Sequence, residues 1–476
     1  MTLFGLSQNK KSDLALVMCP GWGVSQPPVG ISYLKSFLGA HGISTQCFDF
    51  SLELYKQFPE KKFWDLNHPE YFINPTMFTE YIQPTIEPDM DRWAEKILKL
   101  NPKAVGFSLF MSSINASVLL AKKIKSLNPK ILVIAGGAEA TRIKRAVIDK
   151  ITPLSTLNKE SLDVFDLLID GEGEQTILEI MHAFSKKQDY QAIPGVFYKQ
   201  NDMFFANTPR RLLDDLNSLP APDFRDFTLD AYEKTTLPIV TSRGCVNKCT
   251  FCADSPLWKT YRCQKAEKVL EDLKILIARH GIDTFEIVDS SLNGDINRVN
   301  GICTLLIDSK IDINWSAKVR IADEMTYPLL KKMKTAGCCS LSYGIESGSP
   351  RVLEDMRKNI DIEKAKQVIR DTQRAGIETN CFFIIGYPTE TEADFQLTLD
   401  FIAENAEFIH RFDQITGCHI EEDSYLGRNL DKYGITFKED GWYAQANTPS
   451  IRKQRLEKFR NLARKVHKHY TCEVQS

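Results

Sequence analysis

Three cysteines stand within eight positions of one another in Thr241-Ser-Arg-Gly-Cys245-Val-Asn-Lys-Cys249-Thr-Phe-Cys252. Thiolate is the ligand that iron–sulfur clusters take, and a loop free of regular hydrogen bonding lets three such side chains wrap one cluster. Three protein ligands leave the fourth iron of a cubane open. An open coordination position marks a catalytic centre rather than a structural one, by the logic that separates the two kinds of zinc site. Gly244 allows a sharp backbone turn before the first ligand. The competing chemistry is zinc held by three cysteines and a histidine. No histidine lies between His182 and His280, so its fourth ligand would have to come from far along the chain. Cys245, Cys249 and Cys252 are therefore the expected metal ligands and the centre of catalysis.

The loop follows a strand, Leu237-Pro-Ile-Val-Thr241, that opens an α/β series. Further strands are expected at Thr284 to Val288, Ile313 to Val319, Ser340 to Tyr343, Glu378 to Ile385 and Asp413 to Cys418, each separated by a helical segment. Six strand–helix units predict a (β/α)6 partial TIM barrel over residues 236–425, with its site at the C-terminal strand ends. Earlier in the chain, apolar runs such as Leu14-Ala-Leu-Val-Met18 and Ile131-Leu-Val-Ile-Ala135 alternate with helical spacing. That pattern predicts a doubly wound, Rossmann-like parallel-sheet domain over 1–190. Residues 51–100, rich in aromatics such as Phe63, Trp64 and Trp93, read as an ordered helical insertion within it. Residues 191–235 read as a connector stiffened by Leu219-Pro-Ala-Pro-Asp223. Residues 426–476 form a short helical, basic extension.

The bulk properties restrict little. The 476 residues are 43% hydrophobic and 26% charged, with a net charge of −2; this is ordinary globular composition with no call for nucleic acid. Twelve cysteines are too few for a disulfide scaffold, and no apolar run approaches the ~20 residues of a membrane span. With no secretory leader pattern at Met1 to Lys11, a cytoplasmic, reducing compartment is expected. The other cysteines, among them Cys263, Cys303, Cys338, Cys339, Cys381, Cys418 and Cys472, are by default small buried hydrophobes; an auxiliary cluster built from several remains the alternative. The tail from Ile451 to Lys468 carries eight Lys or Arg and one acid, with Leu456, Phe459, Ala463 and Val466 at helical spacing. It reads as a docked helix with solvated charges, or as a basic amphipathic helix in peripheral contact with a membrane.

The cysteine motif, with aromatic Phe251 before its last ligand, resembles the signature of the radical S-adenosylmethionine (SAM) superfamily. Tyr343-Gly-Ile-Glu-Ser-Gly-Ser349, followed by Met356-Arg-Lys358, resembles its fourth-strand motif, which implies that Glu346 and Ser347 face the bound nucleoside. Trp315-Ser-Ala-Lys-Val-Arg320 resembles the third strand, where Lys318 or Arg320 would meet the methionine carboxylate; the alternative for either is a surface ion pair. Ile384-Ile-Gly-Tyr-Pro-Thr-Glu-Thr391 resembles the turn after the fifth strand. Asp289 is a candidate contact to the SAM amino group or to substrate, or else a helix N-cap. His410, His419 and Tyr425, near the sixth strand end, are candidates for the substrate cavity.

Gln26-Pro-Pro-Val-Gly30, Gly106-Phe-Ser108, Gly136-Gly137 and Gly171-Glu-Gly-Glu174 resemble the cobalamin-binding domain that precedes many such enzymes. The resemblance implies corrin and nucleotide-tail contacts at Ser108, Ser112, Ser113 and Gly137. The cobalt-ligating pattern D-x-H-x-x-G is absent, and radical enzymes of this group often lack it. The cofactors implied are a [4Fe-4S] cluster, SAM and cobalamin, with a reducing partner such as flavodoxin or ferredoxin. The activity implied is C-methylation of an unactivated carbon: one SAM methylates the cobalt, and a second yields a 5′-deoxyadenosyl radical that abstracts hydrogen. A ring-forming, oxidative or carbon–carbon coupling enzyme would share every motif. An iron–sulfur carrier would have little use for Glu346. The substrate is not specified by any motif.

Overall fold

A computed structural model describes residues 11–58, 70–148 and 159–466. Phe63, Trp64 and Cys472 lie outside them. The chain divides into two compact units, one of residues up to 214 with 218–235, the other of 215–217 with residues from 236 onward.

The first unit runs β1 (Leu14–Met18), α1 (Val29–Ala40), β2 (Thr45–Asp49), α2 (Phe50–Gln57), α3 (Glu70–Ile73), α4 (Pro75–Met77), α5 (Gln83–Leu98), β3 (Ala104–Ser108), α6 (Ile114–Leu127), β4 (Leu132–Gly136), α7 (Ala138–Val147), β5 (Leu167–Ile169), α8 (Glu174–Ser185), β6 (Val196–Gln200) and β7 (Met203–Ala206). The strands form one sheet in the order β2-β1-β3-β4-β5-β6-β7. The first five are parallel. Every residue of β1 is buried, because helices cover both faces and an unbroken apolar run is what such a strand needs. The 51–100 stretch is helical where described, and Trp93 and Phe50 stack in the core at 4.6 Å.

The connector expected over 191–235 is in part sheet: β6 and β7 add an antiparallel hairpin to the edge of β5. Val196 and Phe197 are buried against the domain, while Met203 and Phe205 face outward. The alternation in Val196-Phe-Tyr-Lys-Gln200 is short, which hid the strand behind the turn residues around it.

The second unit runs β8 (Leu237–Ile239), β9 (Ser242–Arg243), α9 (Asp254–Trp258), β10 (Arg262–Cys263), α10 (Ala266–His280), β11 (Thr284–Ile287), α11 (Ile296–Ser309), β12 (Asn314–Val319), α12 (Tyr327–Thr335), β13 (Cys338–Glu346), α13 (Pro350–Asp355), α14 (Ile362–Arg374), β14 (Glu378–Ile385), α15 (Glu392–Asn405), β15 (Arg411–Gly417), β16 (Thr436–Lys438), β17 (Gly441–Tyr443) and α16 (Pro449–Val466). Six strands form one parallel sheet, ordered β15-β14-β13-β12-β11-β8, the partial-barrel arrangement of six β/α units. Along β12, Trp315, Ala317 and Val319 are buried while Asn314 and Lys318 are exposed. Period-two alternation thus gives one face to the helices and leaves the other polar.

α16 docks by Phe459 and Ala463, both fully buried; Phe459 packs on Phe383 of β14 and Phe412 of β15. Its apolar stripe is therefore occupied, and Arg452 and Arg455 are buried as well. The apolar face that an amphipathic helix would insert into a bilayer is thus in the core, and its basic side chains Lys453, Lys458, Arg464 and Lys465 are exposed. No helix among the described residues is long and apolar enough to cross a membrane.

Candidate active site

The cysteine loop leaves the sheet at Gly244, whose φ of +84° suits glycine. A side chain there would collide with the Thr260 carbonyl. Behind it, β9 and β10 pair antiparallel and close the base of the loop. Asp289, at the end of β11, is buried and grips the loop's root. Its carboxylate accepts from Thr241 N–H at 2.7 Å, Thr241 Oγ1 at 2.6 Å and Ser242 Oγ at 2.7 Å. Arg298 approaches Thr241 from α11, donating to its carbonyl at 3.0 Å. Asp289 is thus neither a helix N-cap nor open to a ligand: Asp295 caps α11, and Asp289 fixes the strand from which the cluster loop springs.

Cys245, Cys249 and Cys252 are partly exposed. Asn247 N–H donates to Cys245 Sγ at 3.4 Å, and Cys252 N–H to the Cys249 carbonyl at 3.3 Å. Burial pushes the Cys249 thiol up, and nearby Lys358 pulls it back. No three His, Cys, Asp or Glu side chains among the described residues converge on a point fit for a single ion. A cubane is ligated at separate irons, so its thiolates stand further apart than the ligands of one ion. A short loop of partly exposed thiols beside a buried cation fits an anionic cluster.

That cation is Lys358, which the motif reading included without giving it a role. Its Nζ lies 2.7 Å from Glu346 Oε1, and both groups are buried. Burial works against the Lys358 ammonium, but Glu346 and Cys249 outweigh it and hold its pKa above the ordinary value. The lysine is delivered by a tight bend: Arg357 and Asn359 on either side have φ of +54° and +52°. Gly344 leaves the space, since a Cβ there would meet Lys358 Nζ at 2.7 Å and collide with Glu346 Oε1. Glu346 itself has φ +67° at a register shift between β13 and β14. Two glycines around a charged residue at a strand end were the visible signal; the burial of Lys358 was not, because it depends on the bend.

Other expected contacts divide. Phe251 packs into a small apolar cluster with Val352, Met356, Tyr387 and Trp442. Ser347 turns away from the site: it is fully buried, with Oγ 3.3 Å from Thr398 Oγ1 of α15. Lys318 is exposed, with Nζ 5.9 Å from the Phe382 ring. It is level with Ser342, four residues short of Glu346, or ~13 Å along the strand. Arg320 lies just past the Val319–Tyr343 pair, nearer Glu346. Its backbone N–H donates to Asn293 Oδ1 at 2.9 Å, and its Nε is buried with no hydrogen-bond partner among the described residues. His410 stands at the start of β15, beside Glu378 at 3.7 Å. That is the end of the strand opposite the cluster loop, so His410 does not line the site. His419 and Tyr425 follow β15; His419 is exposed, and Arg357 lies over the Tyr425 ring at 4.0 Å. Cys303, Cys338, Cys381 and Cys418 are buried, and burial pushes Cys303 up to about 12.

In the first unit, Ser108 ends β3 and is half-buried, as is Ser112 in the turn after it. Ser113 is fully buried and accepts from Phe110 N–H at 3.0 Å, so its hydroxyl closes the turn into α6 rather than facing a ligand. Gly137 stands at the N-terminus of α7 with φ +96°, and any side chain there would collide with the Leu109 carbonyl. These residues lie at the C-terminal strand ends, where doubly wound sheets bind ligands.

Residues 239–402 match the Radical SAM superfamily model. The chain therefore carries a radical SAM domain, here the six-stranded unit with the three-cysteine loop. An uncharacterized methyltransferase of Pyrococcus horikoshii is 30% identical over 65% of this chain and 65% of its own length. An anaerobic magnesium-protoporphyrin IX monomethyl ester cyclase of Rubrivivax gelatinosus is 26% identical over 63% of this chain and 54% of its own. The chain thus spans less than two thirds of either relative. The solved structure of the radical SAM methyltransferase TsrM from Kitasatospora setae, with cobalamin and a [4Fe-4S] cluster bound, aligns over 95% of this chain and 89% of that one, with TM-score 0.67 and 16% identity. The likeness is one of fold: a doubly wound parallel-sheet domain followed by a six-stranded partial barrel.

Proposed function

We propose that this protein is a cobalamin-dependent radical SAM C-methyltransferase acting on an unactivated carbon. One observation carries the reading: the two-domain fold shared with a cobalamin-binding methyltransferase extends over 95% of the chain, while the cysteine loop, Glu346 and Arg320 sit at the ends of the strands they follow.

Cys245, Cys249 and Cys252 would hold the cluster, and Ser108, Ser112 and Gly137 would line the corrinoid site. When bound, the cluster supplies the electron that cleaves SAM and cobalamin supplies the methyl group. Arg320, with its unsatisfied buried Nε, is better placed than Lys318 to neutralise the SAM carboxylate. Glu346 would accept from the ribose hydroxyls with the oxygen that Lys358 does not take, and Lys358 fixes that carboxylate in place through their 2.7 Å ion pair. A flavodoxin- or ferredoxin-type donor in a reducing compartment supplies the electron.

The cyclase relative favours a second reading, a radical enzyme of this architecture that transfers no methyl group. The test is to incubate the reduced, reconstituted protein with SAM and measure both nucleoside products. Methyl transfer yields S-adenosylhomocysteine as well as 5′-deoxyadenosine. 5′-Deoxyadenosine alone supports the second reading, and neither product would sink both.

A further inference from the structure

Between the second and third cysteines of the loop stands Thr250, which is fully buried. Its N–H donates to the Met356 carbonyl at 2.9 Å, its carbonyl accepts from Leu426 N–H at 2.7 Å, and its hydroxyl shares a hydrogen bond of 2.8 Å with the Tyr387 phenol. The same phenol donates to the Asp355 carbonyl at 3.2 Å. Tyr387 is fully buried, and burial holds its phenol well above the ordinary range. A ligand loop is thus pinned at its middle by an aromatic residue 137 positions away.

The turn that carries Tyr387 is in turn held by the C-terminal segment. Asn447 Nδ2 donates to the Tyr387 carbonyl at 2.7 Å. Arg455 of α16 donates to Asn447 Oδ1 at 2.8 Å and reaches Glu390 Oε2 at 3.2 Å. Glu390 Oε2 accepts from Gly386 N–H at 2.7 Å. Asn447, Glu390 and Arg455 are all buried. Side chains and hydrogen bonds together make a continuous path from α16 to the backbone between Cys249 and Cys252.

We propose that Tyr387 is a positioning residue for the cluster loop, acting through Thr250. Its phenol thereby sets how tightly the loop is held in its ligating conformation, independently of the thiols themselves. This rests on the assignment of the three cysteines as cluster ligands.

The test compares Tyr387→Phe, Thr250→Val and Thr250→Ser in the full-length reconstituted protein, with Lys458→Ala on the exposed face of α16 as the control. Two quantities are read: the anaerobic rate of iron release to a chelator, and the rate at which iodoacetamide alkylates Cys249 in the cluster-free protein. Loss of one buried hydrogen bond predicts rates roughly two- to tenfold higher in Tyr387→Phe and Thr250→Val. Thr250→Ser, which keeps the hydroxyl, should stay near wild type, as should Lys458→Ala. Because the two groups act as one unit, the double variant should be no faster than either single one. Wild-type rates in Tyr387→Phe, or increases that merely track a lowered melting temperature, overturn the proposal. If no cluster forms even in the wild type, the ligand assignment fails, and the alkylation rates still decide whether the loop is held from Tyr387.

Discussion

The two candidate cofactor sites of this chain are built in opposite ways. In the radical SAM unit, side chains define the site: three thiols, a buried Glu346–Lys358 pair, and Asp289 holding three donors at the root of the loop. In the doubly wound unit, backbone defines it: the ends of β3 and β4, a glycine with positive φ, and a helix N-terminus. Side-chain chemistry leaves a residue-type signature in sequence, whereas backbone chemistry leaves only glycines and small residues that any parallel sheet uses. Single substitutions should therefore hit the first site hard and the second softly.

The largest effect is expected at a thiol. Cys249→Ala should take a reconstituted protein from about four iron atoms per chain to nearly none, read by iron and sulfide analysis, with corrinoid content unchanged. Next comes Glu346→Ala. It leaves the Lys358 ammonium buried and unpaired, a loss of about 3–5 kcal/mol, measurable as a lower denaturant midpoint at unchanged slope. In the first unit, Ser113→Ala should cost only about 1 kcal/mol, through its turn-closing hydrogen bond, and leave corrinoid retention as in wild type. Retention lost without a change in stability would put Ser113 in the site after all and narrow the contrast.

A pH dependence is expected as well. Burial raises Glu390 from 4.5 to about 7, with Gly386 N–H and Arg455 opposing the shift. The folded state then holds this proton more tightly than the unfolded state. The contribution is favourable below about pH 4.5 and is lost as pH rises toward 7. Glu390→Gln should flatten the change in stability between those values, seen by denaturation at pH 5 and pH 7.5 relative to wild type. An unaltered slope would show that Glu390 ionises freely in the fold.

What could be read in the sequence follows the same division. The cysteine loop, the six strands behind it and the Gly344–Glu346 strand end are local patterns, and residue types alone point to them. Lys358 was visible as a residue but not as a buried partner, because left-handed backbone at Arg357 and Asn359 turns it inward. Arg452 and Arg455 belong to a run of charges that reads as a solvated face; their burial comes from acceptors at Trp442, Glu390 and Asn447 that lie elsewhere in the chain. Ser347 and Ser113 sit where the motif puts a ligand contact, yet a neighbouring acceptor or donor claims each hydroxyl. Spacing shows which residues share an element end, not which way a small hydroxyl turns.

The central claim, one chain holding both a cluster and a corrinoid, is tested most directly by composition. The protein is produced anaerobically with cobalamin supplied, the cluster is reconstituted, and iron, sulfide and corrinoid are measured on the same sample. The account predicts about four iron, about four sulfide and about one corrinoid per chain. A full cluster with no corrinoid would contradict the proposed role of the doubly wound unit, and a sample that retains iron after Cys249→Ala would contradict the ligand assignment itself.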